Sequence, residues 1–139
     1  MINYNYETDF KIDNEQQNSQ WIQSVIESEG LVMGDINYIF CDDDYLHKIN
    51  VEFLDHDTLT DIISFDYKVG KILHGDIFIS VERVADNASD FDVSFDQELS
   101  RVMIHGILHY CGYKDKTESD KALMRQKEND CLEKLAQFS

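Results

Sequence analysis

The chain has 139 residues, 42% hydrophobic and 29% charged, which is a globular composition with enough length to bury roughly two-thirds of the unfolded surface. Twelve basic against 28 acidic side chains give a net charge of −16, which excludes a sequence-independent nucleic-acid binder. Three cysteines without a CxxC pair (Cys41, Cys111, Cys131) argue against a disulfide framework, and no apolar run of about 18 residues is present to span a membrane.

In chain order, Ile2 to Tyr6 alternates apolar and polar residues, as a half-buried strand does. Asn14 to Glu29 carries Trp21, Ile22, Val25 and Ile26 at helical spacing, and Gly30 stops it. A second strand is expected over Asp35 to Cys41. Asp42, Asp43 and Asp44 then supply the N-cap and first-turn acids of a helix through Tyr45, Ile49 and Phe53. Asp61 to Tyr67 and His74 to Val81 read as a hairpin turning at Val69-Gly70-Lys71, followed by a short helix over Val81 to Ala88. Ser94-x-x-Gln97 is a capping box for a strong helix to about Cys111, with Gly112 after it. Thr117-x-x-Asp120 opens a last helix, with Leu123, Met124, Cys131, Leu135 and Phe138 on or near one stripe. No repeat, proline or Gly/Ser linker divides the chain, so residues 1–139 are expected to form a single α+β domain: four strands in one sheet, packed with four to five helices. The first ten residues lack the basic start and apolar stretch of a secretory signal, and the expected location is the cytoplasm.

The chemistry concentrates near the end of the strong helix. His105 and His109 stand one turn apart on the same face. Gly112 permits a left-handed reversal that can return Asp115 over the two imidazoles. Two imidazole nitrogens and a carboxylate make a three-ligand metal site with a position open for water, suited to Zn²⁺ and tolerant of Mn²⁺ or Fe²⁺. A histidine pair alone is more often just two partly buried imidazoles; the reversal and Asp115 turn the reading toward metal. Zinc metallopeptidases place a general-base Glu directly after the first His. Here that position is Gly106, leaving Glu98, seven residues before His105, as a substitute base or simply a first-turn carboxylate at the helix N-terminus. Cys111 is read as an apolar helix-end residue rather than a thiolate ligand, and His47, His56 and His74 as surface or loop histidines.

Residues 1–66 carry two basic and 15 acidic side chains, whereas residues 101–139 carry seven and six. Contact with an anion is therefore expected from the last third, through Lys114, Lys116 and Arg125, unless these only form a solvated face.

The run His105-Gly106-Ile107-Leu108-His109-Tyr110-Cys111-Gly112-Tyr113 resembles the HGxLHLxGY signature of the YbeY family of metal-dependent endoribonucleases. Thr60-Asp61-Ile62-Ile63-Ser64-Phe65 resembles its TDVLSF segment, Gly75-Asp76-Ile77-Phe78-Ile79-Ser80 its GDIxIS strand, and Met124-x-x-x-Glu128 its closing helix. Asp115 stands where the family usually has a third His, and Leu54 where it usually has an Arg. The resemblance implies a mixed four-stranded sheet, a zincin-like metal site on a helix and the loop after it, and single-strand-specific RNA cleavage. It further implies a role in ribosomal RNA maturation and ribosome quality control, with ribosomal RNA and ribosomal or ribosome-associated proteins as partners. The rival readings are an assembly factor with a structural metal and little catalysis, and a zincin-type metallopeptidase, which Gly106 disfavours.

Overall fold

The computed structural model describes residues 1–54 and 60–138, with the backbone alone at 53 and 54. The order is β1 (Ile2–Tyr6), α1 (Glu15–Ser28), β2 (Val32–Cys41), α2 (Asp43–Leu54), β3 (Ile62–Asp66), β4 (Ile72–Ser80), α3 (Val81–Asp90), α4 (Phe95–Tyr110) and α5 (Glu118–Leu135), closed by a 3₁₀ turn over Ala136–Phe138. The expected α+β arrangement is present, with five helices among the described residues. His56, expected as a loop histidine, and the side chain of Leu54 lie outside those residues.

The sheet order is β1-β2-β4-β3. β1 and β4 flank β2 in parallel, and β3 pairs antiparallel with β4 as the hairpin requires, so the sheet is mixed. β2 begins three residues earlier than its alternation suggests. Val32 and Met33 pair with Ile72 and Leu73 before an irregularity at Met33–Ile36, and that irregularity breaks the period-two pattern.

Alternation along the strands sorts the core into two faces. Ile36, Tyr38 and Phe40 of β2, with Leu73, Ile77 and Ile79 of β4, join Trp21, Ile22, Val25 and Ile26 of α1 and the apolar side of α4 in the main cluster. On the opposite face, Cys41, Leu46, Ile49 and Ile63 form a smaller cluster beneath α2, with Phe65 and Phe78 against it. α5 closes over α4, and the Trp21 indole N–H donates to the Cys131 carbonyl at 2.8 Å, tying α1 to α5.

The stripe expected on α5 is only partly right. Met124 and Cys131 are buried, but Leu123 is 49% exposed, because the inward stripe runs 124, 128, 131 and its middle member is Glu128. His47 is half-buried rather than exposed.

Candidate metal centre

α4 is the structural spine. Ser94 and Gln97 form the expected capping box, in which Gln97 N–H donates to Ser94 Oγ at 3.1 Å and Ser94 N–H to Gln97 Oε1 at 3.1 Å. Over residues 101–110 every side chain is buried except Arg101, His105 and His109, one stripe at four-residue spacing. Opposite that stripe, Gly106 presses on the sheet. A Cβ there would lie 3.1 Å from Ile77 Cδ1 and 3.2 Å from Ile62 Cδ1.

The helix ends in a Schellman turn. Gly112, at φ +104°, donates its N–H to the His109 carbonyl, and Tyr113 N–H donates to the Leu108 carbonyl, both at 3.0 Å. The chain reverses and Thr117 caps α5, its Oγ1 accepting the Asp120 N–H at 3.0 Å. Held between these two turns, Asp115 comes back over the histidines as its spacing suggests. His105 Nε2 and His109 Nε2 are 3.0 Å apart, and Asp115 Oδ2 is 3.4 Å from each.

These three residues each offer a ligand atom to one cluster. Tetrahedral coordination at about 2.0–2.1 Å sets ligand atoms about 3.3 Å apart, which the triangle of 3.0, 3.4 and 3.4 Å matches. Exposure rises outward, from 17% for the His105 side chain to 32% for His109 and 43% for Asp115, which leaves an approach from solvent. The donor set and its access therefore fit a divalent cation. Cys111 caps α4 away from the cluster, where burial pushes its thiol up to about 12 and Glu29 and Cys131 add to the shift. Met124 lines the cavity beside the ligands, and His74 accepts the Asp35 N–H through Nδ1 at 3.0 Å, remote from them.

Behind the ligands lies a buried ionic chain that sequence reasoning missed. Glu98, read as a substitute base or a first-turn carboxylate, does lie in the first turn of α4, but it is 2% exposed and paired with Arg101, one turn further along the helix. Arg101 Nη1 also reaches Glu128 Oε1 at 3.3 Å, and Glu128 Oε2 lies 2.6 Å from His105 Nδ1. Burial alone would raise the Glu128 carboxyl, but the His105 hydrogen bond and the charges of Arg101 and Arg125 outweigh it and hold the group low. A signal for Glu128 was present, since it shares the helical stripe of Met124 and Cys131 and so places an acid at a core position. Asp61 of the TDVLSF-like segment is also within electrostatic reach. Burial raises its carboxyl against the opposing pull of Arg101 and His105, and it accepts the Asn87 amide at 3.3 Å.

The cavity over the cluster, about 260 Å³, is lined by Arg101, His105, Asp115, Lys121, Met124, Arg125 and Glu128. Arg125 is thus at the site, with its Nη1 3.6 Å from Glu128 Oε1. Lys114 and Lys116 flank Asp115 as exposed loop residues outside the lining, whereas Lys121, which no sequence motif marks, forms part of it.

The sequence matches the family described as Endoribonuclease YbeY over residues 2–136. It is 67% identical over 138 residues to the endoribonuclease YbeY of Flavobacterium johnsoniae, covering 99% of this chain and 97% of that one. Identity to the Christiangramia forsetii protein of the same description is 58% over 137 residues, covering 99% and 94%. In structure, the chain is similar to the solution structure of TM1509 from Thermotoga maritima, with a TM-score of 0.72 at 26% identity over 97% of this chain and 89% of the other.

Proposed function

The chain belongs to the YbeY family of endoribonucleases, and on that premise we propose that His105, His109 and Asp115 hold one divalent metal ion at which single-stranded ribosomal RNA is cut. Its activity is that of an endoribonuclease, a hydrolase of RNA phosphodiester bonds, and its role lies in ribosomal RNA maturation. The observation that carries the metal reading is the triangle of 3.0, 3.4 and 3.4 Å between two imidazole nitrogens and one carboxylate oxygen. Zn²⁺ suits this set, and the carboxylate widens it to Mn²⁺ or Fe²⁺. When bound, such an ion polarises a phosphoryl oxygen and lowers the pKa of a water toward neutrality.

The chain's own residues supply the rest. His105 and His109 present Nε2 toward Asp115 from a rigid helix, so the donor geometry is set before any ligand arrives. Arg125 and Lys121 on the cavity wall, with Lys114 and Lys116 on the loop, bind phosphate oxygens and orient the strand. Residues 1–139 act as one domain in the cytoplasm, where ribosomal or ribosome-associated proteins with basic surfaces meet the acidic first half.

Metal analysis of the purified protein, with cleavage assays on single-stranded RNA and on casein before and after chelation, tests this reading. Expected are about one metal per chain, RNA cleavage lost on chelation, and intact casein. Chelator-sensitive casein hydrolysis that disappears in His109→Ala overturns it.

A further inference from the structure

We infer that Glu128 is a positioning residue for the metal centre: reaching from α5, it holds His105 in the tautomer that turns Nε2 toward the ligand cluster, while Arg101 and Glu98 hold Glu128 in place. This inference rests on the metal reading above, and it assigns a task to three residues outside the ligand set.

A neutral imidazole has one N–H and one lone pair, and the partner of one nitrogen decides the state of the other. Glu128 Oε2 stands 2.6 Å from His105 Nδ1. The opposite carboxylate oxygen lies 3.3 Å from the Arg101 guanidinium, and a carboxylate held by a guanidinium accepts hydrogen bonds and does not donate them. His105 Nδ1 must then carry the proton and donate it to Glu128. The lone pair is left on Nε2, the atom 3.0 Å from His109 Nε2 and 3.4 Å from Asp115 Oδ2. The hydrogen bond also fixes the ring plane, so His105 need not give up rotational freedom when a cation binds.

Burial explains why a chain of three is needed. Glu128 and Glu98 are each 2% exposed and Arg101 is 15% exposed. A lone buried carboxylate is costly, and a guanidinium bridging two of them satisfies several lone pairs at once. Arg101 stands four residues before His105 on α4, and Glu98 three before Arg101, so one helix carries the ligand and the support of its orienting group. Glu128 alone crosses from α5. The packing of α5 on α4 is therefore what presets the ligand.

Three variants and one spectrum test this. Long-range ¹H–¹⁵N correlation spectra of the metal-free wild type are expected to show His105 protonated at Nδ1 and bare at Nε2. In Glu128→Gln, whose amide can turn to donate or accept, His105 is expected to give a mixed tautomer population. Competition against a chromophoric chelator is expected to give Glu128→Gln a 10- to 100-fold weaker Zn²⁺ affinity. Ser94→Ala loosens α4 at its far end and leaves Glu128 and His105 unaltered, so its Tm should fall while its affinity stays within about threefold of wild type. Wild-type His105 protonated at Nε2 in the metal-free protein overturns the inference, and that spectrum is independent of whether any variant folds. Affinity falling in parallel with Tm across Glu128→Gln and Ser94→Ala overturns it too, since that is loss of fold and not of positioning. A wild type that binds no metal, and whose affinity His105→Ala therefore leaves unchanged, sinks the metal reading and this inference with it. A wild type that binds metal, with Glu128→Gln equal to it, sinks the inference alone.

Discussion

Gly106 sits on the side of α4 turned toward the sheet, where even a Cβ would press on Ile77 and Ile62. The position that carries the general base in HExxH peptidases thus faces the core here, not the cluster of His105, His109 and Asp115. Gly106→Glu is expected to lower stability by roughly 3 kcal/mol or more, through overpacking and an unpaired buried charge, and to create no peptidase activity. Thermal denaturation and a casein assay check both halves. At the ligands, removing one of three donors should cost on the order of 3 kcal/mol of metal binding, about a hundredfold, given typical zinc-site free energies shared among ligands. His109→Ala and Asp115→Ala are both expected to show this loss in chelator competition. Asp115→His should restore binding by replacing oxygen with nitrogen at the same place in the loop. Wild-type affinity in Asp115→Ala would mean that the third ligand lies elsewhere.

At the level of elements, the site depends on both ends of α4 and on the helix that caps it. The Ser94 box fixes where the helix starts, and the turn at Gly112 fixes where Asp115 lands. Ser94→Ala should cost about 1 kcal/mol and lower Tm by roughly 3–4 °C, with metal affinity nearly unchanged because the ligands lie at the other end. On the far side of the sheet, α2 is tied to the start of α3 through Asp43, which accepts from Ser80 Oγ at 2.6 Å and Arg83 Nη2 at 3.1 Å. Burial would raise the Asp43 carboxyl, but Arg83 and Ser80 outweigh it and hold it below its ordinary value. A depressed folded-state pKa gives stability that is present above the unfolded value near 3.9 and lost as pH falls through the folded one. Asp43→Asn should therefore cost about 0.5–1 kcal/mol at pH 7, the pair being partly exposed, and the gap to wild type should close below about pH 4. Urea denaturation of both proteins across pH 3–7 measures it.

For the whole molecule, charge governs how RNA is met. With −16 overall and 15 of 28 acids in residues 1–66, long-range attraction to a polyanion is absent over half the chain. On the proposed reading, RNA contact is expected only at the metal cavity and its few cations. Two or three phosphates neutralised on a single strand give a log–log salt slope of about −1.5 to −2, so affinity for naked RNA should be weak and only mildly salt-dependent. Lys114→Glu with Lys116→Glu should weaken RNA binding at least about tenfold while leaving metal content intact. A slope steeper than about −5, or undiminished cleavage by the double variant, would place the RNA on another surface.

Local patterns were legible because they depend on neighbours a few residues apart. Helical spacing placed Trp21 to Ile26, the two capping boxes started α4 and α5, and the run His105 to Asp115 specified the donor groups that cluster and the glycine that brings them together. An irregular strand start at Val32 escaped the same reasoning because alternation fails across a bulge. What only the tertiary structure decided is which distant groups share a buried space. Glu98 and Glu128 are 30 residues apart on two helices, and nothing local to either says that one guanidinium bridges them. Acids in amphipathic helices are ordinarily solvated, and although the stripe of Met124 and Cys131 marks Glu128 as inward-facing, neither acid's partner is named until α5 is laid on α4. Burial then turns them from solvated charges into the support of His105, because a carboxylate without water must find its partners within the protein.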